Sequence, residues 1–334
     1  MQKQRGVALI VVLLVVALVS ISATDMGSRL QLQVKRSMSL KDNNQAYWLA
    51  IGAEQFAQKT IAQLIKQNNS TIDITQPWAQ ENIQFPVEGG FIEATLEDMQ
   101  SCFNLNTLKS GGSAAGSTAS ATGSGSSNAN QEHLEESFKR LLMTDGLDIP
   151  TFNRDTLKDA LIDWLDEDSM LNGNYGAEDA DYESLEHPYL AANTKMASKS
   201  ELRLVKGVEL SWLSKLMPLV CAIPDKQDFE LNVNTLTPEK APVLAALLGV
   251  SKSNAESIIG GIPFDTPQQF FSEPNVSAVN LNTDLQNMFV VKTRYFILHV
   301  KTTYNSATFK MSSVFKVASD DTVHVIRREF GGKL

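Results

Sequence analysis

Hydrophobic and polar positions divide this chain into regimes of different period. Residues 1–6 (MQKQRG) are polar and basic, and Val7 to Thr24 then runs for eighteen residues without a charge, almost entirely Val, Leu, Ile and Ala. A helix of that length covers about 27 Å, close to the hydrocarbon thickness of a bilayer, and pairs its own backbone in lipid. Apolar residues continue near helical spacing at Met26, Leu30, Val34 and Met38, then at Leu49, Ala53, Phe56, Ala57, Ile61, Leu64 and Ile65, with no proline between Asp25 and Asn68. The pattern predicts one unbroken helix, membrane-spanning at its start and amphipathic beyond. Lys3 and Arg5 put its start on the cytoplasmic side, so everything after Asp25 lies outside the inner membrane. Three readings compete for this segment: a secretory signal cut after Ser20-Ile21-Ser22, a plain anchor, or a leader cut close to the N-terminus.

The period then changes to two. FIEATL at 91–96 reads as a half-buried strand, and Cys102 to Asn106 (CFNLN) as a second. Residues 109–131, almost wholly Gly, Ser, Ala, Thr and Asn from 111 onward, read as a flexible loop without core formers. Helical patterns follow at 132–145, 155–166 and around 199–218. Strands return at Tyr295–Tyr304, Thr308–Val317 and Val323–Glu329, the first two joined by a turn at Asn305-Ser306. A sheet is therefore split by a long, mainly helical insertion. The chain divides into 1–6, a membrane segment 7–24, helix and first strands 25–108, loop 109–131, insertion 132–290 and last strands 291–334. An N-[LV]-N-T core recurs at Asn104, Asn232 and Asn280; three independent strand-to-turn exits, with Asn bonding local backbone, are expected in preference to a duplicated unit.

Lys3-Gln4-Arg5-Gly6 before Val7-Ala8-Leu9-Ile10-Val11 resembles the class III leader that prepilin peptidase cuts between Gly6 and Val7. Most pilins and pseudopilins carry Glu five residues after the cut; here Val11 stands there, the exception shown by K-type minor pseudopilins of type II secretion. LIDWLDEDS, GAEDADY, HPYLAAN and SKSELRLVKGV, and the FNLN and LNVNT motifs, resemble that family too. The resemblance implies an α+β, type IV pilin-like fold, a long N-terminal helix packed on an antiparallel sheet, with the helical domain inserted. It further implies a non-enzymatic, single-pass inner-membrane subunit with a periplasmic C-terminal domain. Such a subunit sits at the tip of the pseudopilus with I-type and J-type minor pseudopilins, above the major pseudopilin.

Charge sharpens this picture. The net charge is −9, which argues against general nucleic-acid binding. Ten carboxylates lie between Asp159 and Thr194 with no Lys or Arg among them. Stacked repulsion near a helix C-terminus favours a bound cation, and hard oxygen donors favour Ca²⁺; a solvated acidic loop is the bland alternative. The EF-hand pattern fails, with Met170 and Ser184 at positions that need a ligand and a glycine. By resemblance to the family's calcium-binding domain, Asp166, Asp168, Glu178, Asp179 and Asp181 are the expected ligands, with Asp163 and Asn193 in reserve. Cys102 and Cys221 either join as one disulfide in an oxidising compartment or remain buried thiols. Residues 237–271 resemble a helix-hairpin-helix or SAM-like unit; its only cations, Lys240 and Lys252, stand beside Glu239 and Glu256. That composition favours a packing module over the rival reading, a membrane-anchored DNA-uptake receptor. No nucleophile elbow, zincin motif or P-loop occurs, and the four histidines are scattered.

Overall fold

The computed structural model describes residues 5–67, 71–80, 83–108, 125–226 and 228–331. Residues 1–4 of the expected leader and 109–124 of the expected loop lie outside these.

Helix α1 (Arg5–Gln67) is continuous, as the absence of proline allows. Its first part is the one helix among the described residues long and apolar enough to cross a membrane. Strands β1 (Ile83–Val87) and β2 (Gly90–Asp98) form a hairpin. The chain leaves the sheet at Asp98 and returns at β7 (Tyr295–Tyr304), followed by β8 (Ala307–Val317) and β9 (Val323–Phe330). The five strands make one antiparallel sheet in the order β1-β2-β7-β8-β9. The last three strands fall close to their expected places. β1 was not expected, because Pro86 breaks its pattern; at a sheet edge the missing N–H costs nothing.

The sheet buries α1 along Ala46, Ala50, Ala57, Ile61 and Leu64 against Phe296, Leu298, Val300, Met311 and Phe315. Small residues let the helix approach closely. Glu54 lies in this same stripe and is buried, gripped by Arg328 Nε and Nη2 at 2.7 and 2.8 Å and by Ser313 Oγ at 2.6 Å. Phe56, expected in the apolar stripe, instead points away and is 62% exposed.

The other sheet face carries a small cluster, Met99, Cys102, Cys221, Ile223, Tyr295 and Val314, that joins it to the insertion. The insertion contains β3 (Phe103–Asn104), α2 (Gly125–Leu142), α3 (Thr151–Leu165), α4 (Asp179–Glu183), α5 (Leu210–Leu216) and β4 (Val220–Cys221). A second part holds β5 (Leu231–Asn232), α6 (Ala241–Leu248), α7 (Lys252–Ile259), α8 (Pro267–Phe271), α9 (Pro274–Ser277), α10 (Thr283–Gln286) and β6 (Phe289–Val290). Helix α2 starts at Gly125, inside the segment expected to be loop. The strand expected at Cys102–Asn106 shrinks to the two residues of β3, which pair in parallel with β4 outside the main sheet.

Asn104 and Asn232, the first two repeats, adopt one architecture, contrary to the expectation of independent exits. Asn104 and Asn232 each accept the N–H two residues on, at 3.3 and 3.1 Å. Asn106 then grips both backbone groups of Met196 (3.0 and 2.8 Å), as Asn234 grips both of Phe264 (2.8 and 2.8 Å). The two strand pairs β3–β4 and β5–β6 are both parallel. The third copy differs: Asn282 caps α10 through Leu285 N at 2.8 Å.

One buried carboxylate ties the insertion to the sheet. Asp98 accepts from Gln100 N (2.7 Å), Thr293 Oγ1 (2.5 Å), Thr235 Oγ1 (2.6 Å) and Asn232 Nδ2 (3.0 Å). These groups sit where the chain exits the sheet, where it returns, and on the second Asn repeat.

Candidate functional site

The equivalence of the two Asn units locates the acidic segment. In the second unit the gripped residue, Phe264, comes five residues after α7 ends at Ile259; in the first, Met196 comes thirty-one residues after α3 ends at Leu165. The acids fill that extra length.

Asp159 and Asp163, the second of them a reserve ligand by resemblance, lie on the last turns of α3 and organise the segment. Asp163 accepts from Asn172 N (2.8 Å) and Ala177 N (2.7 Å), and Asp159 from Tyr175 N (3.2 Å). A Cβ on Gly176 would fall on the Asp163 carboxylate, so the chain needs glycine to wrap that closely. Burial pushes Asp163 up to about 6, against these two donors, with Asp159 and Asp168 adding to the rise.

Beyond α3, one carboxylate oxygen from each of Asp166, Asp168 and Glu178 falls within 4.8 Å of the others. Glu178 is 6% exposed, and both its carboxylate oxygens are buried without a hydrogen-bond partner among the described residues. The Asp181 N–H, which stands at the capping-box position of α4, donates to the Glu178 carbonyl at 2.8 Å. Burial first, then the charges of Asp163, Asp166, Asp179 and Asp168, push Glu178 up to about 7. An orphaned, buried carboxylate facing two others is the arrangement a hard divalent cation satisfies. Asn193 Oδ1 is another buried oxygen without a partner among the described residues.

Two expected ligands point elsewhere. Asp179 Oδ1 accepts from Ala191 N at 3.0 Å, and Asp181 pairs with Lys206 Nζ at 2.7 Å and accepts from Glu178 N at 3.3 Å. Lys206 holds Asp181 below its ordinary carboxylate range. These two acids shape the loop by capping and tying it. The segment is also less isolated from cations than its sequence implied, since Lys158 reaches Asp159 at 2.6 Å and Lys206 reaches Asp181. Glycines 173 and 176, placed among acids, are the sequence signal for this wrapping.

Cys102 and Cys221 face each other across β3–β4 with Cα atoms 5.9 Å apart, in disulfide geometry. Gly6 and Val7 both lie within α1.

In the hairpin of the helix-hairpin-helix-like unit the glycine-turn N–H groups are already used. Gly249 N and Val250 N are both donated to Ala245 O. Arg140 Nη1 covers the turn, donating to Ala246 O at 2.8 Å, and His133 Nε2 reaches Leu247 O at 3.0 Å. Lys240 is turned to Ser101 Oγ and Lys252 lies beside Glu256. The unit is a packing module.

An apolar groove of about 520 Å³ runs between α1 and the β1–β2 hairpin, lined by Trp48, Phe56, Trp78, Phe85, Ile92 and Leu96. Apolar residues recur on the same helix face of the stem, with Lys41 and Gln45 between the two stretches. Leu30, Val34 and Met38 precede Trp48, Gly52 and Phe56 by eighteen residues each, five helical turns, so they share one face. Leu30 (61%), Met38 (61%) and Trp48 (64%) are exposed there.

A helix with an apolar, membrane-length start, laid on an antiparallel sheet that a helical domain interrupts, defines a membrane-anchored, pilin-like subunit. The family described as type II secretion system (T2SS), protein K, matches residues 101–225 and 231–292, which contain the two Asn units. The type II secretion system protein K of Aeromonas hydrophila is 34% identical over 99% of this chain and 98% of its own length, and that of Klebsiella pneumoniae 30% over 98% and 97%. A chain in the crystal structure of the GspK-GspI-GspJ complex from the enterotoxigenic Escherichia coli type 2 secretion system matches with a TM-score of 0.75 and 28% identity. That match covers 89% of this chain and 100% of the other. The chain belongs to the type II secretion system protein K family, minor pseudopilins of the secretion pseudopilus with a structural part in protein transport.

Proposed function

We propose that this subunit caps or initiates the pseudopilus at its tip, assembled with I-type and J-type minor pseudopilins and above the major pseudopilin. The carrying observation is the uncovered apolar surface of α1, present at Leu30, Val34 and Met38 on the stem and again, past the exposed Lys41 and Gln45, at Trp48 and Phe56 in the groove beside β1. A second amphipathic stem is the shape that covers such a face. The solved neighbour, a chain of a GspK-GspI-GspJ complex, supports the choice of partners. In this reading prepilin peptidase releases residues 1–6, Val7 becomes a methylated N-terminus, α1 anchors in the inner membrane, and the rest stands in the periplasm. Ca²⁺ held by Asp166, Asp168 and Glu178, and a Cys102–Cys221 disulfide, stabilise the insertion; Asn193, beside Thr194 whose N–H reaches Trp164 O at 3.4 Å near the end of α3, is the reserve ligand. No residue has a catalytic part.

The test is co-purification of the full chain with its I-type and J-type partners. The wild-type chain is expected to form a ternary complex. Phe56→Glu, which places a charge on the exposed groove wall, is expected to abolish it while leaving the far-UV spectrum unchanged. A complex that survives Phe56→Glu would place the contact elsewhere.

A further inference from the structure

The acid cluster and the cysteine pair are joined by a short chain of backbone grips. Asn193, whose Oδ1 is buried without a partner among the described residues, holds a left-handed φ of 44° three residues before Met196. Met196 is the residue whose N–H and C=O are both taken by the Asn106 side chain. Asn106 Nδ2 also donates to Ile223 O at 3.1 Å, and Asn104 Oδ1 accepts from Ile223 N at 3.0 Å. Asn104 and Ile223 stand two residues beyond Cys102 and Cys221 respectively. Without the sulfur–sulfur bond, the ends of this 119-residue span are held by the two-residue pair β3–β4, these side-chain bonds and the apolar packing around Phe103 and Val220. Pairs that short are marginal alone.

We propose that the Cys102–Cys221 bond controls how tightly the acid cluster holds its divalent cation, with Asn106 as the positioning residue that couples the two. The inference rests on the calcium reading above. When the bond is closed, Asn106 presents Met196, and with it the returning limb that bears Asn193, in place before the ion arrives. When it is open, ordering that limb is charged to ion binding and affinity falls. Opening requires a dithiol reductant, which supplies two electrons and two protons, leaves two thiols on the protein and closes into its own disulfide. Coupling of this kind is reciprocal, so bound calcium makes the bond harder to reduce by the same factor.

Calcium affinity is measured on the full chain in detergent micelles by competition with a fluorescent chelator. The oxidised wild type is expected to bind, and the Cys102→Ser/Cys221→Ser chain to bind about tenfold more weakly. Asn106→Ala in the oxidised chain is expected to weaken binding similarly, and removing the cysteines from it to cost little more. Glu54→Ala, which loosens the distant α1–sheet contact, is expected to leave affinity unchanged, separating positioning from general destabilisation. Should the serine chain fail to fold, the wild type still decides: a dithiol redox titration is expected to shift by about 30 mV per tenfold of coupling when saturating calcium is added. Equal affinities in oxidised and cysteine-free chains, or an unmoved potential, overturn the proposal and leave the calcium site standing. An oxidised chain that binds no calcium overturns both.

Discussion

Glu54 is a charged residue in the middle of an otherwise Ala- and Ile-rich stripe, and the stripe is buried. Its carboxylate is fully used, by two Arg328 nitrogens and Ser313 Oγ. Because these partners lie on β8 and β9, the grip fixes how far α1 can slide or turn on the sheet. Arg328 is about half exposed and recovers water when its partner is lost, whereas Ser313 is not. Glu54→Ala is therefore expected to lower unfolding free energy by about 1–3 kcal/mol, measured by denaturant titration. Glu178 is the opposite case, a buried carboxylate whose oxygens have no hydrogen-bond partner among the described residues. Glu178→Gln is expected to raise the melting temperature of the calcium-free protein by removing a repelled charge, and to erase most of the stabilisation that calcium gives the wild type. A calcium gain equal to that of the wild type would remove Glu178 from the ligand set.

At the scale of elements, the return from α3 to Met196 carries a pH dependence of known sign. Asp163 and Glu178 are pushed up to about 6 and 7 in the folded protein, from ordinary values of 3.8 and 4.5, chiefly by burial. The folded state thus holds protons that the unfolded state has released, so stability is fully present below about pH 4 and is lost as pH rises through the folded values. Asp98 is raised by burial in the same direction, its four donors opposing. The calcium-free chain is accordingly expected to melt at lower temperature at pH 7.5 than at pH 5.5, and saturating calcium to flatten or reverse that slope. A calcium-free melting temperature that rises over this interval contradicts it. The same element separates the five acids that the resemblance grouped together. Asp166, Asp168, Glu178, Asp179 and Asp181 look alike in sequence, but Asp179 and Asp181 are spent on Ala191 N, Lys206 and Glu178 N.

For the whole molecule, the layers are α1, the sheet, and the insertion on the opposite face, with Asp98 and the Cys102–Cys221 pair at the junction. In that arrangement α1 is buried on the sheet from about Ala46 onward, and the stem before it is exposed. Maturation belongs to this scale. Edman sequencing or mass analysis of the chain from its native host is expected to begin at N-methylated Val7; a chain beginning at Met1 or near Ala23 would refute cleavage after Gly6. The sequence by itself determined whatever depends on period and local chemistry: the apolar start and unbroken run of α1, the last three strands, the helical character of the insertion and the acid-rich window. Tertiary structure alone decided what depends on partners distant in the chain. Glu54 became a core residue because Arg328 meets it 274 positions away, Phe56 was left outside because alanines fit the sheet more closely, and the Asn units proved alike because Met196 and Phe264 return to them. Periodicity records which side of an element is apolar; it carries no record of which distant group will satisfy a polar one.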